Sequence, residues 1–153
     1  MAMQAQIRPR GCSNFKLRQL MRRVSQHYDA ELGKTGLKTT QYSLLQHVAR
    51  LGPIRPGALA AAMTIDASTL TRNLKPLAAT GWVAITPGAD ARTHRVAITA
   101  AGREKCREAK RHWQAAQAGL IERLGMERVL ALHALIDTAL ELLPARGTGP
   151  AHA

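Results

Sequence analysis

Apolar side chains recur at intervals of three and four residues along most of the chain, a pattern typical of amphipathic helices. This spacing predicts helices over residues 12–32, 39–51, 57–63, 66–80, 100–124 and 127–143. Short polar side chains accept hydrogen bonds from the free backbone N–H groups in the first turn of a helix. We therefore expect Thr39 or Thr40 to cap the second helix and Asp66 to cap the fourth. Glycine or proline follows most of these segments, as expected where helices end.

A different pattern occupies the stretch between the fourth and fifth helices. Residues 82–86 and 95–99 alternate apolar and polar side chains, as β-strands do, and a turn sequence from Pro87 to Asp90 lies between them. The predicted order is therefore four helices, a hairpin and two helices. The fold class is mainly α with a small β-hairpin wing.

Composition and charge narrow the class of protein. Apolar residues make up 46% of the chain and aromatic residues 3%, which favours packed helices over a β-sandwich. The formal net charge is +12, so the surface attracts polyanions, although charge alone does not separate DNA from RNA or an anionic membrane. Two distant cysteines without CxxC spacing predict neither a disulfide framework nor a metal site, and no cofactor is expected. With no long apolar run and no signal-peptide pattern, we expect a cytoplasmic protein without membrane contact.

Residues 55–79 have the pattern of a helix-turn-helix, whose second helix enters the major groove of DNA by its N-terminal residues. Hydroxyl groups there bond phosphates or base edges, arginine grips guanine at two atoms, and asparagine does the same to adenine. The candidate DNA-binding residues are Arg55, Ser68, Thr69, Thr71, Arg72, Asn73 and Lys75. Helix capping remains an alternative role for Ser68 and Thr69, and a solvated surface cation for Arg72.

The predicted hairpin carries further candidates at and beyond its tip, namely Asp90, Arg92, His94 and Arg95. A narrow minor groove has an enhanced negative potential that accepts an arginine such as Arg92. Asp90 either holds an arginine side chain in place through a charge-assisted hydrogen bond or serves as a turn residue. These two roles are compatible.

The chain resembles the MarR family of winged helix-turn-helix regulators at these residues. The resemblance lies in Leu59-Ala60 through Leu70-Thr71-Arg72, in Leu77 through Gly81-Trp82-Val83, and in Asp90-Ala91-Arg92 through Ile98-Thr99-Ala100-Ala101-Gly102. It extends over roughly residues 12–143. Two departures are the neutral Ala84-Ile85-Thr86 strand, where family members often carry a basic residue, and Pro76 inside the recognition helix.

The resemblance implies a sequence-specific regulator of transcription, usually a repressor, that binds a palindromic operator in double-stranded DNA as a homodimer. The implied organisation is a winged helix-turn-helix DNA-binding domain over residues 37–99 with long dimerisation helices over 11–36 and 100–143. A flexible basic arm, 1–10, and a disordered tail, 144–153, flank them. Apolar stripes through Cys106, Ala109 and Trp113, and through Leu135 and Leu140, are expected to bury against partner helices. An intramolecular bundle is the alternative.

Many such regulators bind small aromatic or acidic effectors between the dimer helices and the DNA-binding heads. Candidate effector-binding residues are Phe15, Arg18, Gln19, Arg22, Tyr42, His47 and Trp113. Arg18 and Arg22 lie one helical turn apart and can hold a carboxylate together. The plainer alternatives are a core position for Tyr42, a helix-face histidine at His47, and solvated or DNA-facing arginines.

Three other functions compete with a ligand-responsive regulator. Cys12 begins the first helix, where a thiol is more easily oxidised, so an oxidant-sensing regulator is one alternative to an inert cysteine. A non-specific architectural DNA-binding protein is another. An enzyme is not expected, because no G-x-S-x-G, H-E-x-x-H or phosphate-loop motif is present.

Overall fold

The computed structural model describes residues 9–87, 90 and 93–143. Its helices and strands, in chain order, are α1 (Ser13–Leu32), α2 (Thr39–Leu51), α3 (Pro56–Ala62), α4 (Ala67–Ala79), β1 (Val83–Thr86), β2 (Arg95–Ile98), α5 (Ala100–Leu124) and α6 (Met126–Leu142). A short 3-10 turn, Gly33–Thr35, follows α1. The predicted fold class, helices with one antiparallel hairpin, is confirmed.

Two details differ from the sequence prediction. The N-cap of α2 is Lys38, and the side chain of Gln41 accepts its backbone N–H. Thr39 instead donates both its backbone N–H and its hydroxyl to the Asp29 carboxylate, at 2.7 and 2.6 Å, which ties α2 to α1. Ile54 also forms an isolated antiparallel bridge with Val96, so β2 has a second pairing partner besides β1, which alternation alone did not indicate.

One hydrophobic core joins the helix-turn-helix to the long helices. Leu44, Leu45 and Val48 of α2 are buried at its centre. The apolar face of α4 packs onto it through Leu70, Leu74 and Leu77, as the helical spacing predicts. α5 contributes Ala109 to the same cluster. Because the core crosses the boundary predicted near residue 100, the orientation of the DNA-binding segment depends on α5.

The junction of the hairpin with α5 explains the Thr-x-x-Gly start of that helix. Thr99 caps α5 by accepting the backbone N–H of Gly102 at 3.0 Å, and its hydroxyl donates to the carbonyl oxygen of Gly81 at 2.6 Å. Gly102 is buried against the backbone of Trp82, so closely that a Cβ atom would overlap the Trp82 carbonyl oxygen. The motif therefore locks the wing to α5.

Part of the apolar stripe on α5 is already buried within a single chain. Ala109 and Ala116 are 0% and 1% exposed within a single chain. α1 packs along α5, and His27 Nε2 donates a hydrogen bond to the carbonyl oxygen of Ala116, at 2.7 Å. Packing within the chain therefore covers Ala109 and Ala116, whereas Trp113 of the same stripe stays exposed.

Most of the large apolar side chains left exposed among the described residues lie on the first half of α1 and on α6; the others are Leu51, Ile85 and Trp113. The large ones on α1 are Phe15, Leu17, Leu20 and Met21; those on α6 are Met126, Leu130, Leu135, Ile136, Leu140 and Leu142, followed by Leu143. Within the described part of the chain, no helix is long and apolar enough to cross a membrane.

Candidate nucleic-acid interface and effector cleft

The start of α4 is organised by one carboxylate. Asp66 is the N-cap, as predicted, and accepts the backbone N–H of Thr69 at 2.7 Å. The same carboxylate accepts the hydroxyl groups of Ser68 and Thr69, at 2.5 and 2.8 Å. These hydrogen bonds, with that of Ser68 the largest effect, hold the pKa of Asp66 well below its ordinary value. The carboxylate is therefore ionised at every pH at which a protein binds DNA.

The polar face of α4 gathers most of the predicted recognition residues. Ser68, Thr71, Arg72 and Lys75 are exposed, while Thr69 and Asn73 are half-buried. The Thr71 hydroxyl donates to the carbonyl oxygen of Ala67 at 2.9 Å, and an Arg72 guanidinium nitrogen lies 3.4 Å from the Thr69 hydroxyl oxygen. The capping role considered for Ser68 and Thr69 is thus partly realised, because their hydroxyls reinforce the Asp66 cap.

Arg55 lies apart from this face, exposed at the N-cap of α3.

The candidate residues of the wing differ from one another in burial and in hydrogen bonding. Asp90 and Thr93 form a reciprocal turn in which the Asp90 carboxylate accepts the Thr93 backbone N–H and the Thr93 hydroxyl accepts the Asp90 N–H, each at 3.1 Å. The turn role of Asp90 is therefore present. Arg95 is half-buried, and its guanidinium donates to the carbonyl oxygens of Thr93 and His94 at 3.4 and 3.2 Å. Arg92, the predicted tip cation, lies outside the described residues.

A cleft of about 410 Å³ opens between α2 and α5. Three predicted effector residues line it together: Tyr42, His47 and Trp113. Tyr42 is buried, which raises the pKa of its phenol, and Gln46 donates a hydrogen bond to its oxygen. Nδ1 of the His47 ring donates a hydrogen bond to the carbonyl oxygen of Ser43 at 2.8 Å.

The lining of this cleft contains one cation that was not among the predicted effector residues and lacks the two that were. Lys110 lines it, an exposed residue three positions before Trp113 and therefore one turn away on α5. That spacing was the available signal. Four predicted effector residues, Phe15, Arg18, Gln19 and Arg22, are instead exposed on the first half of α1, outside the lining of the cleft. Within one chain the α1 arginines are not brought to Tyr42.

The cysteines are far apart in environment. Cys12 is exposed at the N-cap of α1, and its side chain forms no capping hydrogen bond there. Cys106 is half-buried beside the core, and burial raises the pKa of its thiol. Both are free thiols. Across the residues the structure describes, no three histidine, cysteine or acidic side chains gather as a metal site would require.

Comparison with known proteins decides the class. The family model described as MarR family matches residues 35–93, which span α2 to the wing. The M. tuberculosis transcriptional regulator MosR, solved in complex with DNA, is 32% identical with a TM-score of 0.71, and the match covers 88% of this chain and 100% of that one. The chain belongs to the MarR family. It is therefore a DNA-binding transcriptional regulator and not an enzyme, as the resemblance implied.

Two further matches have lower sequence identity. The uncharacterised HTH-type transcriptional regulator YwoH of Bacillus subtilis is 28% identical over 93 residues, which is 61% of this chain and 68% of YwoH. A variant of E. coli MarR complexed with operator DNA has a TM-score of 0.73 at 23% identity, covering 83% of this chain and 92% of that one. The second likeness establishes the MarR fold alone.

Proposed function

We propose that this MarR-family regulator binds a palindromic operator as a homodimer and represses transcription, with a small anionic aromatic effector modulating its DNA affinity. The observation that carries the proposal is the exposed polar face of α4, the second helix of the helix-turn-helix. On this face Arg72 and Lys75 accompany three hydroxyl groups. A helix of this kind enters the major groove by its first turns. MosR, the relative at 32% identity, was solved on DNA.

The dimer follows from the exposed apolar faces of α1 and α6. Together with α5 they border an apolar groove of about 590 Å³, lined by residues that include Leu20, Leu132 and Ile136. An apolar surface of this extent is unusual on a monomer and is covered in most proteins that carry one. A second copy, related by two-fold symmetry, presents the same faces and covers both at once. Two α4 helices then read half-sites about one helical turn apart.

Replacing Arg72 with alanine is expected to weaken operator binding by roughly tenfold or more, because a guanidinium that grips a guanine contributes about 1–3 kcal/mol of discrimination. Arg92→Ala tests the wing cation in the same way. Fluorescence anisotropy with a palindromic duplex from the protein's own promoter region measures both, over a range of salt concentrations.

Arg123, an exposed cation in the last turn of α5, provides the matched control, since Arg123→Ala removes the same charge away from the proposed interface. If Arg92→Ala binds as the parent does, the wing assignment is wrong. Equal affinity of the parent for a scrambled duplex would favour the non-specific architectural alternative over an operator.

The proposed effector occupies the cleft between α2 and α5. Trp113 and Tyr42 offer aromatic surface, and Lys110 offers a positive charge for a carboxylate, the role first assigned to the α1 arginines. Because α2 supports the helix-turn-helix and α5 anchors the wing, a ligand between them acts on both DNA-contacting elements. This position supports an effect on DNA affinity.

Benzoate is expected to raise the melting temperature of the parent protein, because a ligand that binds only the folded state stabilises it by mass action, by about 2.7 kcal/mol at a hundred times its Kd. Lys110→Ala should lose the shift and Lys110→Arg should keep it. Arg111→Ala, which removes the neighbouring exposed cation outside the cleft lining, is the matched control. A shift that survives in Lys110→Ala contradicts the assignment of the carboxylate to this lysine.

Oxidant sensing through Cys12 is the second candidate, and the exposure of this thiol supports it. An exposed thiol is accessible to peroxide, whereas Cys106 is half-buried. On this alternative, peroxide would lower the DNA affinity of the parent and leave that of Cys12→Ser unchanged.

A further inference from the structure

The hydroxyl groups on α4 have a fixed donor direction. Each serine or threonine hydroxyl carries one hydrogen and two lone pairs. The hydrogens of Ser68 and Thr69 both go to the Asp66 carboxylate, at 2.5 and 2.8 Å, and that of Thr71 goes to the Ala67 carbonyl oxygen at 2.9 Å. A carboxylate is the stronger kind of acceptor because it is ionised. Toward DNA, these hydroxyls therefore offer lone pairs rather than hydrogens.

This direction limits which DNA atoms they can bond. Phosphate oxygens, purine N7, guanine O6 and thymine O4 are all acceptors and need a donor from the protein. In the major groove, the donors are the amino groups of adenine N6 and cytosine N4. The Asp66 carboxylate also accepts the backbone N–H of Thr69, one of the first-turn groups that otherwise attract a phosphate to a helix N-terminus.

Ser68 is the hydroxyl best placed to use this property. It is exposed in the first turn of α4, the part of a recognition helix that contacts base edges. Thr69 is half-buried and already has an Arg72 guanidinium nitrogen 3.4 Å from its oxygen. Thr71 lies almost a full turn further along the helix.

We infer that Asp66 is a specificity-determining positioning residue, which holds Ser68 as a hydrogen-bond acceptor so that Ser68 selects an adenine or cytosine amino group in each half-site. This inference rests on the proposed sequence-specific function and adds the class of base that one side chain recognises. Because the pKa of Asp66 is lowered, its carboxylate stays ionised at neutral pH and accepts the Ser68 hydrogen.

The test begins with selection of binding duplexes from a randomised double-stranded library by the full-length protein. Within the enriched motif, each adenine is replaced by purine and each cytosine by pyrimidin-2-one, analogues that lack the exocyclic amino group. At one position per half-site, the parent protein should lose about fivefold in affinity, the effect of one net hydrogen bond. Ser68→Ala should bind the normal and amino-lacking duplexes equally.

Asp66→Ser supplies the second variant. Serine caps helices about as well as aspartate, so α4 is retained, which circular dichroism checks. One hydroxyl oxygen replaces the carboxylate, and the Ser68 hydrogen is released toward the groove. The preference for the amino-bearing base should then fall to within about twofold, and guanine or thymine should appear at that position in a repeated selection. Comparing duplexes within one variant cancels the uniform effect of removing a charge.

Two results would overturn the inference while leaving the regulator assignment intact. One is a Ser68-dependent loss on 7-deazapurine duplexes, which lack the N7 acceptor, since Ser68 would then be a donor. The other is an enriched motif in which Ser68→Ala discriminates among all analogues as the parent does. A library that yields no enriched motif would instead overturn sequence-specific recognition itself, and this inference with it.

Discussion

Replacing Leu135 and Leu140 with glutamate is expected to split the proposed dimer into folded monomers and to reduce operator affinity at least 100-fold. The two leucines are 71% and 65% exposed in the single chain, so the substitutions leave its core unchanged. In a dimer they would place unpaired charges inside an apolar interface, which is strongly unfavourable. Loss of the second half-site then removes the avidity of two linked modules, which is of the order of 10² to 10⁴.

Analytical ultracentrifugation gives the oligomeric state, and anisotropy with the palindromic duplex gives the affinity. The control variant, Gln26→Glu with Gln114→Glu, adds the same charge at two exposed polar positions on α1 and α5. It should remain dimeric and bind DNA nearly as the parent does. A Leu135→Glu/Leu140→Glu variant that stays dimeric would exclude this face of α6 as the interface.

Gly102→Ala is expected to destabilise the fold by roughly 3 kcal/mol or more, at the upper end of the usual effect of overpacking. The added Cβ would overlap the backbone carbonyl oxygen of Trp82 and lie 2.8 Å from the side chain of Ile98. A backbone atom cannot rotate away as a side chain can, so β1 and β2 must shift relative to α5. Urea denaturation followed by circular dichroism measures the loss.

Gly57 provides the matched control because it lies in α3, where an added Cβ would meet nothing within 4 Å apart from its chain neighbours and the backbone of its own helix. Gly57→Ala should be neutral or stabilising by up to about 1 kcal/mol, since alanine restricts the unfolded chain. If Gly102→Ala were as stable as Gly57→Ala, the wing would not be locked to α5 through this contact. The DNA affinity of any folded Gly102→Ala protein would then report whether wing position matters for binding.

Local signals accounted for most of the secondary structure. The Asp66 cap and the alternating strands were predicted, because a cap or a pleat involves residues within three or four positions of one another. The role of Thr39 was not predictable in this way. Its partner Asp29 is ten positions away on another helix. Thr39 and Thr40 are both of a residue type that commonly caps helices, so the sequence alone favours a capping role for either one.

The candidate sites show the same difference between residues close together in the sequence and residues brought together only by the fold. Ser68, Thr69, Thr71 and Arg72 share one helix, so helical spacing was enough to place them on one face. The cleft is built from two helices that meet in space, so the spacing of Lys110 and Trp113 on α5 did not by itself show that this lysine shares a cleft with Tyr42. Spacing made Arg18 and Arg22 a plausible pair, yet Lys110 lines the cleft because α5, rather than the first half of α1, lies against α2 there.

The sequence by itself determined the order of the helices, the hairpin, the polar face of α4 and the family, since each rests on residue types at short, regular spacings. Only the tertiary structure decided which apolar side chains are left uncovered and which cation lines the cleft. Ala109 and Ala116 of α5 are buried within the chain, whereas Leu135 and Leu140 of α6 are exposed, and Lys110 lies in the same cleft as Tyr42. Burial and the lining of a cleft depend on where other helices lie in three dimensions, and the pattern of residue types along the chain does not contain that position.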